Sequence, residues 1–250
     1  MDNLMLNNKI YLEGEVISGL EFSHEMYGEG FYTFHVEVPR LSDAKDTLFI
    51  TISERLISDM DIRIGCQVIV EGQLRSYNKF VDGFNRLILT VFARNIAICE
   101  EKSKNPNQIF LDGFICKEPV YRTTPFGREI SDMLLAVNRS YNKSDYIPTI
   151  AWGRNSRFCK SLKVGDNIRI WGRLQSREYQ KKVSEEDIIK KTAYEVSISK
   201  MEKVNKDENG NEIESTIENN CNIENNCNIE LENKHEEENL EENLKGKQIS

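Results

Sequence analysis

A pattern that occurs twice, one hundred positions apart, constrains this chain more than any other feature. Gly65–Tyr77 reads GCQVIVEGQLRSY and Gly165–Tyr179 reads GDNIRIWGRLQSREY. Gly65, Gly72, Leu74 and Ser76 correspond to Gly165, Gly172, Leu174 and Ser176, while Val68 and Val70 correspond to Ile168 and Ile170. The likeness also marks the start of each half, IYLEGEV at Ile10–Val16 and IFLDGFI at Ile109–Ile115. A 250-residue chain with two copies of one β-rich unit is read as two domains of about 100 residues, not one large fold.

Taken in order, each half offers the same elements. In the first, Ile10–Ile17, Phe31–Pro39 and Leu48–Ile52 have strand patterns, the second alternating with period two and ending at Pro39. Ser53–Met60 suits a short helix with Leu56, Ile57 and Met60 inward. Cys66–Arg75 and Leu87–Cys99 come next, with a hairpin expected near Val81–Gly83 because Asp82-Gly83 favours a tight turn. Glu101–Asn107 has linker composition. The second half repeats the order with strands at Gln108–Cys116, Ile130–Val137 and Tyr146–Trp152. A turn-rich link spans Pro119–Gly127, and a short helix over Gly153–Leu162 has Phe158 and Leu162 as inward anchors. Closing strands lie at Gly165–Tyr179 and Thr192–Val204, separated by a charged insertion at Gln180–Lys191. Five strands with a short helix between the third and fourth is the element count of a five-stranded Greek-key barrel, the oligonucleotide/oligosaccharide-binding (OB) fold. A β-sandwich would want about seven strands and no helix there. The expected fold is therefore all-β, two tandem OB folds at 1–104 and 105–204, followed by a tail at 205–250.

Charge separates these regions. Residues 1–104 carry 11 basic and 16 acidic side chains, residues 105–204 carry 18 and 12, and residues 205–250 carry 4 and 13. The overall charge of -8 thus hides a second half of net +6, and a local field of that sign steers polyanions whatever the average. The tail holds 12 asparagines, no aromatic residue and IENNCN twice in tandem, at Ile217–Asn222 and Ile223–Asn228. It is too polar to offset chain entropy and is expected to be disordered. Its net charge of -9, tethered to the basic half, makes it a candidate internal competitor for anions. No apolar run approaches the length of a membrane span and no cationic-apolar leader is present, so a cytoplasmic, nucleoid-associated protein with reduced thiols and no membrane partner is expected.

Catalytic patterns are absent. The three histidines, His24, His35 and His235, are isolated in sequence, and no zinc, phosphate-loop or nucleophile-elbow spacing occurs. No enzyme activity, cofactor or metal is expected. Binding chemistry is present instead. Holding a single strand without reading its sequence takes cations for phosphates and flat rings for bases. The second half interleaves Tyr121, Arg122, Phe126, Arg128, Arg139, Tyr141, Lys143, Tyr146, Trp152, Arg154, Arg157, Arg173, Arg177 and Tyr179. Period two puts Arg173, Gln175, Arg177 and Tyr179 on one face of their strand, with Trp171 in the same phase. Arginine suits such a track because it bonds phosphate bidentately and also stacks. The first half reads as the weaker platform: Glu71 stands where the second has Trp171, which suggests a pairing and scaffolding role.

The second half, in IFLDGFICKEPVYRTTPFG, MLLAVNRSY, YIPTIAWGR, LKVGDNIRIWGRLQSREY and YEVSISKMEKV, resembles the bacterial single-stranded DNA-binding protein family. Residues 10–99 resemble it faintly, mainly through GCQVIVEGQLRSY. The resemblance implies non-enzymatic, sequence-independent binding of single-stranded DNA in replication, recombination or repair. It implies base-stacking roles for Tyr141, Tyr146, Trp152 and Tyr179, and a groove lined by Arg122, Arg154, Arg173 and Arg177. Members usually have one such domain and form tetramers, so a homodimer of this chain would supply four OB folds. Members also end in an acidic tip with an aromatic residue that recruits replication and repair proteins, whereas this chain ends LEENLKGKQIS. Two alternatives stand beside this reading: a homo-oligomeric OB protein-interaction module of the replication machinery, and single-stranded RNA binding, since nothing here senses a 2′-hydroxyl.

Overall fold

The computed structural model describes residues 6–81, 84–99, 103–182, 188–206 and 212–213. By its contacts the chain divides into two units, residues 1–212 and 213–250. The first unit contains both repeats. The tail expected at 205–250 lies outside the described residues apart from 205–206 and 212–213.

The first repeat runs β1 (Asn8–Val16), β2 (Glu21–Met26), β3 (Glu29–Pro39), β4 (Lys45–Ser53), α1 (Glu54–Ile57), β5 (Gln67–Val81) and β6 (Phe84–Ile98). The second runs β7 (Asn107–Ile115), β8 (Val120–Thr123), β9 (Glu129–Arg139), β10 (Lys143–Trp152), α2 (Gly153–Cys159), β11 (Asn167–Lys182) and β12 (Ile188–Lys203). In each, five strands close into a ring. β1 pairs with β3 and β5, β3 with β4, β5 with β6, and β4 closes onto β6 in parallel. The second ring repeats this with β7, β9, β10, β12 and β11. The two tandem OB barrels expected from the repeat are present. Each also carries an outer strand beyond the expected five, β2 on β3 and β8 on β9, the latter within the stretch Pro119–Gly127 read as a turn-rich link.

Alternation decides which side chains fill each ring. Leu12, Val36, Leu48, Ile50, Val68, Val70, Leu74 and Val91 are fully buried in the first. Leu111, Leu135, Val137, Ile147, Ile168, Ile170 and Val196 are their counterparts in the second. Burying one such side chain contributes about 1.5–3 kcal/mol, which makes the barrels the stable frame for everything on their surface. The paired glycines at the centre of the repeat now have a physical reason. One extra residue bulges from the neighbouring strand opposite each, between Glu71/Gly72 and between Trp171/Gly172. The bulged strand comes so close that a Cβ on Gly72 or Gly172 would collide with the carbonyl oxygen of Phe92 or Ser197.

Two expectations for the helices change. α1 is a single turn, capped by the Ser53 hydroxyl, which accepts from Arg55 N at 3.2 Å, and Met60 lies beyond it on the surface. In α2 the buried anchors are Ser156 and Cys159, with Leu162 just beyond, while Phe158 is exposed. Ser156, Cys159 and Leu162 recur every third residue, a spacing that keeps all three on the barrel side. Within the charged insertion at Gln180–Lys191, β11 continues to Lys182 and pairs there with the start of β12 at Ile188, and residues 183–187 lie outside the described residues.

The repeats join edge to edge. β1 and β7 pair antiparallel about Ile10↔Ile109, with Asn8↔Leu111 and Leu12↔Asn107 on either side. The seam is nearly symmetric: Asp112 N donates to Asn7 O at 2.8 Å, and Glu13 N donates to Pro106 O at 2.7 Å. At its ends, buried Asn8 bridges both main-chain groups of Leu74 at 2.8 and 2.9 Å, and buried Asn107 does the same for Leu174 at 2.7 and 2.9 Å. Further out, two clamps cross between the repeats. Asp46, fully buried, accepts from Ser176 N at 2.7 Å and pairs with Arg40 at 2.7 Å, while Thr47 N donates to Ser176 Oγ at 3.0 Å. Asp145, equally buried, accepts from Ser76 N at 2.7 Å and pairs with Arg75 at 3.0 Å and Arg139 at 3.2 Å, while Tyr146 N donates to Ser76 Oγ at 2.7 Å. Ser76 and Ser176 recur in the sequence because each is the point at which one repeat grips the other.

Candidate nucleic-acid interface

Strand period fixes the outer face of the second repeat. Along β10, Ile147, Thr149 and Ala151 point inward and are buried, so Tyr146, Pro148, Ile150 and Trp152 point outward. Register then sets their neighbours. Trp152 lies opposite Ile130, and Ile130 opposite Arg122, so a ring, an aliphatic side chain and a guanidinium form one row across β10, β9 and β8. The next row carries Asp132, Ile150, Ser197 and Arg173 across β9, β10, β12 and β11. Tyr146 opposes Ala136, a small residue that leaves the phenol ring 47% exposed. Trp152 is 39% exposed at the end of β10, where Gly153 at φ 53 turns the chain into α2. A side chain at Gly153 would strain that left-handed turn and re-aim the indole.

The arginines on this face are poised rather than bare. Arg122 donates from Nε to Asp132 at 2.7 Å, and the carboxylate hydrogen bond raises its pKa. Arg177 is held loosely by Glu195, Nε to Oε1 3.8 Å, and Glu195 also accepts from Gln175 Nε2 at 2.8 Å. Arg173 shares the strand phase of Arg177, and Arg154 is exposed on the first turn of α2. Exposed pairs of this kind contribute little in water, about 0–1 kcal/mol, so exchanging a carboxylate for a phosphate costs little. The Lys160 ammonium sits 3.5 Å from the centroid of Tyr121, another cation–ring pair beside the face.

The remaining candidate residues fall elsewhere. Tyr141 projects from the β9–β10 turn, where it and Asn142 have positive φ, and it is 94% exposed. Tyr179 lies on β11 opposite Lys191, with its side chain outside the described residues. Trp171 is on the seam: its ring lies 5.2 Å from Phe110 and under Lys200 Nζ at 4.7 Å. It lines a concavity of about 630 Å³ with Lys9, Tyr11, Phe110, Glu71 and Arg94. The register thus brings Tyr146, Trp152, Arg122 and Arg173 onto one surface and puts Trp171 over the junction of the repeats. Ile130 and Ile150, outward in phase but covered by their neighbours, form the floor of that surface. Ile150 lies in the mostly apolar stretch IPTIAW, which period alone assigns to neither face, while Ile130 stands between Glu129 and Ser131 and carries no such signal.

Residues 106–204 match the Single-strand binding protein family. Over 81 residues the chain is 35% identical to Single-stranded DNA-binding protein 1 of Staphylococcus aureus (strain COL), covering 30% of this chain and 48% of that protein. It is 33% identical over 81 residues to Single-stranded DNA-binding protein A of Bacillus subtilis (strain 168), covering 30% and 47%. The chain spans about half the length of these curated relatives. In structure it is similar to the wild-type single-stranded DNA binding protein from Thermus aquaticus, with TM-score 0.63 and 19% identity over 80% of this chain and 94% of that one. That likeness covers both repeats and shows a shared fold. The family match thus falls on the second repeat, residues 106–204, while the likeness in fold extends over both repeats.

Proposed function

We propose that this chain binds single-stranded DNA non-enzymatically and without reading sequence, covering strands exposed in replication, recombination or repair. The observation that carries the reading is the shared outer face of the second repeat, where Trp152, Tyr146, Arg122 and Arg173 are brought together by register. Bases stack on Tyr146 and Trp152, with Tyr141 and Tyr179 extending the platform from the adjoining turn and hairpin. Phosphates exchange for Asp132 and Glu195 at Arg122 and Arg177, aided by Arg154 and Arg173. The domain division that goes with this reading is 1–104 and 105–204 as the two OB domains, with 205–250 as a tail. A second copy seated on the seam concavity at Trp171 would give a homodimer with four OB folds, and replication or repair proteins are the natural further partners.

The test is a titration of the full chain with oligo-dT, blunt duplex DNA and single-stranded RNA at two salt concentrations, following tryptophan quenching. Tighter capture of oligo-dT than of duplex, weakening as salt rises, is expected. Equal affinity for duplex and oligo-dT would reject stacking as the mechanism. Light scattering of the free protein checks the homodimer.

A further inference from the structure

Followed from neighbour to neighbour, the twelve strands of the two repeats run from β2 at one end to β8 at the other. Among the described residues β2 pairs with β3 alone and β8 with β9 alone, so each repeat ends in a strand whose outer main-chain groups face no ladder partner there. Such an edge is a template for a further strand.

The two edges differ in charge. Residues 18–30, which hold β2, carry Glu21, Glu25 and Glu29 and no lysine or arginine. Residues 116–128, which hold β8, carry Lys117, Arg122 and Arg128 against Glu118. Part of this charge is already matched, since Glu29 pairs with Arg55 at 3.2 Å and Arg122 with Asp132 at 2.7 Å. Glu21 and Glu25 on one edge, and Lys117 and Arg128 on the other, are exposed. Apolar surface lies beside both. Every residue of β2 is exposed, Phe22 at 62% and Met26 at 51%, and Val120 on β8 is 58% exposed. A bulge between Phe22 and His24 sends Phe22 toward Tyr32, ring centroids 5.7 Å apart, and lays His24 on Phe31 at 4.9 Å. Both faces of the β2 edge thus offer side chains to an added strand.

Charge decides which edges can meet. Two β2 edges would set glutamate against glutamate, and two β8 edges cation against cation, and like charges across a strand pair destabilise it. β2 against β8 brings opposite charges together and covers Phe22, Met26 and Val120 at once. We infer that β2 of one copy adds to β8 of another, continuing the sheet from the first repeat of one chain into the second repeat of the next. Two different surfaces meet, so the contact does not end with a pair, and copies add head to tail. β8 is only four residues long, which makes the contact weak and confines it to high protein concentration. It goes beyond a pairing at the seam concavity and does not depend on the capture of single-stranded DNA.

The test uses the full chain free of nucleic acid. Light scattering at rising protein concentration should show the mean mass climbing past two copies at about 20 mM salt and falling back at about 300 mM, as screening removes the charge match. Glu21→Lys/Glu25→Lys makes both edges basic, and Lys117→Glu/Arg128→Glu makes both acidic, so either variant alone should lose the climb. An equimolar mixture of the two should regain it, because each offers the charge that the other lacks. The four side chains are exposed, so melting curves should match that of the wild type. Hydrogen exchange of the unaltered chain needs no variant: amides of β2 and β8 should exchange more slowly as concentration rises. A mass that stops at two copies, variants that assemble as the wild type does, a mixture that stays apart, or edge amides indifferent to concentration would overturn the inference. None of these outcomes touches the affinity for oligo-dT, which is measured separately.

Discussion

The two repeats share a frame and differ in what they hang on it. Both close five strands into a ring, both place glycine opposite a bulge, and both grip their neighbour with a buried aspartate and a serine. Their outer faces diverge. Opposite Ile130 the second repeat has Trp152, where the first has Ser53 opposite Phe31. The first repeat places its rings on other strands. His24 stacks on Phe31 at 4.9 Å, Phe31 lies 5.8 Å from Phe92, and Arg94 covers Phe92 at 5.4 Å. The frame is held by core and seam, so the outward positions of each strand are free to carry different chemistry without disturbing the barrel.

The sharpest probe of the shared frame is the clamp. Asp145→Ala leaves two guanidiniums facing a hole, Arg75 among them, whose burial already lowers its pKa despite the partner carboxylate. A loss of about 3–5 kcal/mol is expected in urea unfolding, as for any buried pair broken on one side. Asp46→Ala strands only Arg40 and should cost less. Equal losses would mean that the second arginine adds nothing and that the clamps are energetically the same.

The divergent faces come next. Trp152→Ala should weaken oligo-dT binding by about 1–3 kcal/mol. Phe92→Ala, on the corresponding face of the first repeat, should weaken it by less than about 1 kcal/mol, as for a ring outside the main track. Comparable losses would make the repeats functional equals and erase the contrast. A finer comparison separates the arginines: Arg173→Ala with Arg177→Ala should reduce the salt slope by about 0.7 for each phosphate no longer neutralised, whereas Tyr146→Ala leaves that slope unchanged.

Much of the frame was legible in the sequence because period two and repeated glycines are local signals. The repeat unit, the barrel class and the outward phase of Arg173 and Arg177 all come from them. Other features depend on which strands lie side by side, and a single strand cannot report that. Ser76 and Ser176 were visible as a repeat, but their reason is an aspartate 69 residues from one and 130 from the other. The row from Trp152 through Ile130 to Arg122 needs the register of three strands. Trp171 shares a phase with Arg173 yet meets Phe110 on β7, the strand that borders the seam, because phase says nothing about the neighbouring strand. Phe158 and Cys159 exchange roles as anchors because one residue of helix offset turns a side chain by about 100°.

The smallest expected effect is a difference held by the second repeat alone. Among the described residues Cys159 is the buried thiol, and burial pushes its pKa up from 9.0 to about 11. A raised pKa favours the protonated form in the folded state. The associated stability is therefore fully present below pH 9.0 and is lost as pH rises toward about 11. Melting temperatures of wild type and Cys159→Ala should converge across that window, and parallel curves would assign the thiol no such linkage.

The seam between β1 and β7 has a consequence for inheritance. Where two identical copies pair through such an edge, every substitution is written twice, once on each side of the axis, and a change that suits one face is imposed on both. Here the two sides of the axis are different stretches of a single gene product, Ile10 on one and Ile109 on the other. A substitution is written once. Each half can therefore drift toward its own task while the other preserves the pairing, and the closing of the pair does not depend on how dilute the protein becomes.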